Sequence, residues 1–444
     1  MTSTIKVNKI EKESGSTITL GGPSTAVTLA CGATQSGFGR TGTVDWCTTA
    51  KTGPLTIVSG NGYFINTTSG GITVTLPSSP SAGDIVALKD YANTWDSNAV
   101  TLARNGSKIN GVCACVDLNT DSQSVTLIYV DGTKGWQDIH DSTSNVTGNE
   151  YMLATGGNTV TECGSHKIHT FTSSGTFTVT KAACTPANNA VAYMVIAGGG
   201  YGSCYRHGSA GGGGAGGFRE GTTAPVVPYT ASPLVAPAGV TVSAQAYPIT
   251  VGAGSASGAT NGTPSVFDSI TSTGGGRGAV SGGDPGGPNC GAPGGSAGGG
   301  DGEGKSAGSG NTPPVSPAQG TNGGTGRAVG GCRAGGGGGG AAAAGTNGAP
   351  PKQGGPGGAG VSTEITGSAV TRAGGGGGNG QTPGGTAGNG GPGGGGAGTN
   401  GCAGGTPGTA NTGGGGGAGN KTGCTTCGGQ GGSGIVVIRY KFKA

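Results

Sequence analysis

Glycine dominates the second half of this chain. Of 109 glycines in 444 residues, 22 precede Gly198; the other 87 fall within residues 198–434, about 37% of that stretch, against about 7% in ordinary domains. Glycine costs about 1 kcal/mol per helical position relative to alanine, so no long amphipathic helix can form there. Residues 268–434 also contain no Phe, Tyr, Trp or Leu. Such a segment cannot collapse onto a conventional apolar core. Two states are physically open to it. One is a flexible Gly-rich coil. The other is a lattice of extended left-handed helices, with three residues per turn and a rise of about 3.1 Å, paired through their backbones. The Gly runs 211–214, 335–340, 374–378, 393–396 and 413–417 suit the lattice. They follow no strict Gly-X-Y period, which excludes collagen.

Strand-forming sequence brackets this segment. Residues 191–196, Val-Ala-Tyr-Met-Val-Ile, lead into it, and residues 435–442, Ile-Val-Val-Ile-Arg-Tyr-Lys-Phe, close it. We expect these two runs to pair. Five cysteines inside the insertion, Cys290, Cys332, Cys402, Cys424 and Cys427, are spaced as disulfide staples would be and argue for order over coil.

The first half reads as short strands with period-two alternation. The expected class is all-β. Residues 1–53 carry a repeat, Thr17-Ile18-Thr19-Leu20 then Ala26-Val27-Thr28-Leu29, which cannot bury a face alone. It implies an intertwined, β-prism-like oligomerisation segment. Residues 54–143 resolve into six strand candidates separated by turn signals, the pattern of a β-sandwich, with Trp46, Trp95, Trp136, Tyr63, Phe64, Tyr91 and Tyr129 as its bulky side chains. Residues 144–163 are polar and read as a linker. Residues 164–267 with 435–442 form a small β base, and residues 268–434 are the Gly-rich insertion it carries.

Composition narrows function. Only 9% of residues are charged, the net charge is +4, and no Lys/Arg cluster marks a nucleic-acid binder. No run of about 18 apolar residues is present to cross a membrane. The N-terminus, MTSTIKVNKIEKESG, lacks the apolar stretch of a secretory leader. With 12 cysteines, the expectation is a virion component, made in a reducing cell and extracellular after release.

Catalytic constellations are not apparent. The second half offers few carboxylates, among them Asp301 and Glu303 in a Gly-rich stretch expected to hold no fixed geometry. Cys424-Thr425-Thr426-Cys427 lacks a second ligand pair nearby and reads as a local disulfide, not as half a zinc site. Cys113 and Cys115 are each expected to pair elsewhere or stay free. His166 and His169, three apart on a strand, face opposite sides and are expected to face solvent. Neither a metal, a cofactor nor an enzyme activity is expected. One cluster in the second half combines aromatic and polar side chains as a carbohydrate site does: Tyr201, Tyr205, Arg206, His207, Phe218 and Arg219. It is the candidate receptor-binding site. The alternative surface is the Asn/Thr/Lys-bearing turns, such as 320–327 and 397–402.

The chain resembles tailed-bacteriophage fibre proteins, especially those of marine phages. Ser3-Thr4-Ile5-Lys6-Val7-Asn8-Lys9-Ile10 with Ser16-Thr17-Ile18-Thr19-Leu20-Gly21-Gly22 is similar to their fibre start. Gly62-Tyr63-Phe64-Ile65-Asn66 and Tyr129-Val130-Asp131-Gly132-Thr133-Lys134-Gly135-Trp136 are similar to a domain common among them. Met194-Val195-Ile196-Ala197-Gly198-Gly199-Gly200, the 211–219 stretch and Gly434-Ile435-Val436-Val437-Ile438-Arg439-Tyr440 look like their glycine-rich domain. The resemblance implies a tail fibre or spike whose Gly-rich tip, built of layered polyglycine-II helices, binds a host glycan or outer-membrane protein. It also implies attachment to other virion proteins through the N-terminus. The expected assembly is a homotrimer acting by multivalent adhesion. A capsid fibre or decoration protein without receptor, and a subunit of an extracellular filament or matrix, are the alternatives.

Overall fold

The computed structural model describes residues 44–141, 146–147, 149–205, 209–223, 227–257, 260–280, 290–400, 403–420 and 427–444. The expected oligomerisation repeat lies outside them. Among the described residues the chain is all-β, and its only helical element is the 3₁₀ turn Pro186–Asn189.

The first module winds back and forth between two facing sheets. Strands β1 (Asp45–Lys51), β3 (Asn61–Ile65), β5 (Ile85–Asp90), β8 (Ser124–Asp131) and β9 (Gly135–Asp141) form one sheet in that order. Strands β2 (Leu55–Thr56), β4 (Ile72–Thr75), β6 (Val100–Ala103), β7 (Val116–Leu118) and β10 (Val146–Thr147) form the other. Because the chain changes sheet after each early strand, β1, β3 and β5 are parallel, as are β2, β4 and β6. The Gly60-Asn61-Gly62 signal therefore marks a crossover between sheets, not a hairpin. Alternate residues of both sheets meet in one core holding Trp95, Trp136, Tyr63, Ile65, Val74 and Leu88. Trp46 and Tyr91, expected to fill that core, are exposed; the Trp46 ring packs on Phe64 across the outside of the sheet.

Two boundaries differ from expectation. Because β1 pairs with β3, the module begins by Asp45 and not at residue 54. The polar stretch 144–163 is not a plain linker: β11 (Leu153–Thr155) and β12 (Thr159–Cys163) within it are edge strands of the next module. Their side chains are largely exposed, so the sequence there carries polar residues like a linker.

The base of the second module is two stacked sheets. One runs β11, β14 (Gly175–Lys181), β20 (Ala246–Thr250), β21 (Ser265–Phe267), β22 (Ile270–Ser272). The other runs β12, β13 (His166–Phe171), β28 (Ile435–Lys441), β15 (Ala190–Ile196), β17 (Phe218–Gly221), β18 (Val235–Ala236). The expected pairing of the runs that bracket the insertion is present: β15 and β28 are antiparallel, with Ala192 opposite Arg439 and Ile196 opposite Ile435. These strands are apolar on both faces because both faces are covered. Tyr193, Val195, Val436 and Ile438 meet Phe177, Tyr247 and Phe267 of the other sheet. Met194, Ile196, Phe218 and Val437 meet Ala215, Ala341, Val361 and Ile365 of the Gly-rich region.

Beyond β15 the chain enters a lattice. In residues 209–217, Gly212 and Ala215 donate to the carbonyls of Gly336 and Gly339, Gly213 and Gly216 to Gly416 and Gly413, and Gly214 and Gly217 to Gly276 and Thr273 (all 2.7–3.0 Å). The carbonyls of Gly211, Gly214 and Gly217 accept from Ser203, Gly200 and Ala197; those of Gly212 and Ala215 accept from Gly299 and Ser296; that of Gly213 accepts from Gly376. Partners change at every residue and return at every third. That is the three-residue turn of a polyproline-II-type helix, whose backbone groups all point outward. Segment 209–217 thus bonds six neighbouring segments, and segments 335–341 and 373–380 show the same threefold alternation. Four of the five runs named above, 211–214, 335–340, 374–378 and 413–417, are interior helices of the lattice, whereas Gly393 and Gly394 turn at its rim with φ of +100° and +95°.

Packing at this spacing requires the absence of a side chain. A Cβ on Gly376 would stand 2.0 Å from the Gly416 carbonyl oxygen, and one on Gly213 2.2 Å from that of Gly200. Both neighbours are backbone and cannot rotate away. Gly376→Ala is expected to destabilise the protein by roughly 1–3 kcal/mol. Gly132→Ala, where nothing lies within 4 Å of the added carbon, is expected to be near neutral. Thermal unfolding of the two full-length variants checks this contrast.

Candidate functional site

The lattice has two ends, and the direction of each segment says which is which. Residues 197–203 leave the base from β15, and residues 209–217 return to it at β17. Strand β16 (Cys204–Tyr205), which follows the outgoing segment, therefore lies at the far end. By the same logic, and by register against these helices, the turns at 302–304, 327–334, 350–352 and 381–385 lie there too. Turns 392–394 and 410–412 and the hairpin of β25 (Val361–Thr363) and β26 (Val370–Arg372) lie at the base. The far end is a plateau of loops drawn from distant parts of the sequence.

The loops are laced to one another. At the plateau centre, Asn379 is fully buried. Its amide oxygen accepts from the Ala210 N–H, its side-chain amide donates to the Gly419 carbonyl (2.9 Å), and its own carbonyl accepts from Gly335 (2.8 Å). One residue, by side chain and backbone together, thus pins three interior helices where their glycine pattern ends. Strands β23 (Arg327–Val329) and β24 (Cys332–Ala334) form a tight hairpin. Gly330 and Gly331 turn it with φ of +58° and +77°, the both-positive geometry that two-residue hairpin turns need. Val329, at its tip, is exposed. Arg333 donates to Glu303 (3.3 Å), its N–H donates to the Gln381 side chain (3.1 Å), and the Gln381 N–H donates back to its carbonyl (3.1 Å). Lys352 donates to the Pro383 carbonyl (3.2 Å). Among the described residues this end carries the cations Lys305, Arg327, Arg333 and Lys352 against the anions Asp301 and Glu303.

Asp301 was expected to have no fixed geometry, yet it is fully buried. One carboxyl oxygen accepts from the Glu303 N–H (2.9 Å), and the other has no hydrogen-bond partner. Burial, against the opposing pull of that backbone donor, pushes its carboxyl up to about 6. The geometry is fixed because residues 295–301 are a lattice helix, with backbone partners on several sides.

The sequence-derived cluster separates on folding. Tyr201 is buried within the lattice, and burial pushes its hydroxyl up to about 12. Phe218 is buried against the base sheet. Arg219 is half-buried and points toward the Thr271 carbonyl (3.5 Å). Tyr205 pairs through its backbone with Asn420 of β27 (Gly419–Asn420), at the far end, and Arg206 and His207 lie outside the described residues. The two rings therefore serve packing, while β16 shares the plateau with turns that sequence proximity did not connect. Of the turns at 320–327 and 397–402, the ends at Gly326-Arg327 and Asn400 reach it as well.

Three of the five insertion cysteines fall among the described residues, and His166 and His169 differ from expectation. Cys290, Cys332 and Cys427 are free thiols; Cys402 and Cys424 lie outside the described residues. His169 does not face solvent. It is buried, stacked on Tyr440 at 5.6 Å, with Nδ1 2.7 Å from the Gly156 carbonyl, and burial lowers its affinity for a proton. His166 is buried too. Other layers cover both faces of the sheet at β13, with Phe171 in the core shared with the other sheet and Ile168 in the core shared with the Gly-rich region. Among the described residues, no three His, Cys, Asp or Glu side chains gather as a metal site, and no helix is long and apolar enough to cross a membrane.

The raised carboxyl of Asp301 gives a signed pH dependence. An acid whose proton is held more tightly when folded stabilises the fold below its unfolded value of 3.8. That contribution is lost as pH rises through about 6. Asp301→Asn keeps the shape without the charge. The stability of the wild type relative to Asp301→Asn is expected to fall by roughly 2–3 kcal/mol between pH 4 and pH 7. Paired urea titrations at the two pH values check it.

Residues 172–441 match the glycine-rich domain family. No curated protein matches the chain. With more than half of its length matched, from just before β14 to β28, this chain belongs to the glycine-rich domain family.

Proposed function

We propose that the protein is a fibre or spike component of a virion, and that the loop plateau of its lattice binds the host cell surface. The observation that supports this best is the gathering of loops from at least five separate stretches on one end of a backbone-bonded lattice, opposite the base strands. Loops on a rigid scaffold are the usual carriers of recognition, since they vary without disturbing what holds them. Among the described residues the lattice contributes no conventional apolar face there. The plateau instead offers exposed backbone, amide side chains and a modest excess of cations. That inventory suits hydrated, hydroxyl-rich or acidic surface polymers such as glycans. Single contacts of this kind are weak, so adhesion relies on several copies engaging together. Avidity of a linked array can exceed that of one site by about 10²–10⁴-fold.

Two measurements test the reading. Light scattering on the full chain is expected to give a homotrimer; a monomer removes the multivalent mechanism. Soluble full-length protein is expected to block adsorption of the parent virus to its host. Val329→Asp combined with Lys352→Glu, both on plateau turns, is expected to raise the half-blocking concentration at least about tenfold, the equivalent of 1.4 kcal/mol, with an unchanged unfolding temperature. Equal blocking by variant and wild type would take the binding surface away from the plateau.

A further inference from the structure

Two half-buried thiols from different modules meet where the first module joins the second. Cys115 lies just before β7 of the first module, and Cys184 lies in the turn between β14 and β15 of the second. Their approach follows from the backbone. Strand β10 pairs antiparallel with β7, Thr147 opposite Val116. Two residues on, the Asn149 carbonyl accepts from the Cys184 N–H (2.9 Å), and the next carbonyl, Glu150, accepts from the Asn188 side chain (2.9 Å). The turn holding Cys184 is itself clamped: the Asn189 amide accepts from the Ala183 N–H (2.7 Å) and donates to the Ala183 carbonyl (2.9 Å). Ala114 and Val116, on either side of Cys115, are buried and fix its backbone. The strand that pairs with β7 beside Cys115 thus runs, two residues later, into the carbonyl that holds Cys184, and the two cysteines share this junction.

We propose that Cys115 and Cys184 are a built disulfide site that locks the first module to the glycine-rich module once the protein leaves a reducing compartment. The oxidant is a low-molecular-weight disulfide such as oxidised glutathione. The Cys115 thiolate attacks one of its sulfurs and expels one small thiolate, leaving a mixed disulfide on Cys115. Cys184 gives up its proton, attacks the Cys115 sulfur and expels the second small thiolate. The two protein thiols lose two electrons and two protons; the small disulfide gains them and becomes two thiols. The roles follow from the surroundings. The Cys184 S–H and the Arg104 N–H and charge favour the Cys115 thiolate, which is lowered to about 6 despite burial and the nearby Asp117 carboxylate. Cys184, which shares its proton with Cys115 and is partly desolvated, is raised. An attacking thiol ionised near neutral pH exchanges fastest.

The reduced full-length protein, incubated with oxidised glutathione at pH 7, quenched by alkylation and mapped as non-reduced peptides, decides the matter. A Cys115–Cys184 cross-link is expected to form ahead of any other. Cys113→Ser is expected to keep it, and Cys115→Ser and Cys184→Ser to lose it. Oxidation is expected to raise the unfolding temperature of the wild type but not of Cys184→Ser. A cross-link through Cys113 or another thiol in its place, or no intramolecular disulfide in the wild type, overturns the proposal; the wild-type map does not depend on any variant folding.

Discussion

Everything in the second module depends on backbone amides pairing between neighbouring extended helices. A buried amide left unpaired is costly, and a helix with three residues per turn has no internal hydrogen bond. Each lattice segment must therefore find neighbours on all sides, and segment 209–217 finds six. The arrangement is cooperative by construction: an interior helix cannot form until those around it form. Side chains are excluded from the interior because a Cβ at positions such as Gly376 would enter a neighbouring carbonyl. Glycine is here the packing unit, as leucine or valine is elsewhere.

A lattice without apolar side chains needs an anchor, and the base provides it. The central strands β15 and β28 are apolar on both faces. One face closes a conventional aromatic core. The other presents Met194, Ile196 and Val437 to the first lattice residues and to the β25–β26 hairpin. Polar pins secure the same interface: buried Arg439 reaches the carbonyls of Pro228, Glu364 and Ile365. The lattice thus grows from a hydrophobic seed, and its far end is left to display loops. Asn379, Gln381 and Arg333 tie those loops together where the glycine pattern gives out.

The second module places titratable groups where charge is unwelcome. Asp301, His169 and Tyr201 are desolvated by surroundings that offer few or no compensating charges. The Cys115–Cys184 pair differs, because the two thiols serve as each other's partner. Its position between modules, not its local sequence, is what distinguishes it from the remaining cysteines.

The fold class, the glycine-structured second half, the candidate interior helices and the pairing of the strands that bracket them follow from the residues alone. Those features depend on composition and short periodicity, which are local. The sequence alone misplaced the edge strands β11 and β12, because an edge strand with exposed side chains has the polarity of a linker. It grouped Tyr201 with Phe218 as a surface cluster, because proximity along the chain does not say which ring the lattice and base will cover. It read His169 as solvent-facing, because a single strand does not reveal that its sheet is covered on both sides. The plateau, the burial of Asp301 and the meeting of Cys115 with Cys184 were decided only by tertiary structure. Each joins residues far apart in the chain, through backbone hydrogen bonds that every residue type can make and that leave no mark in the sequence.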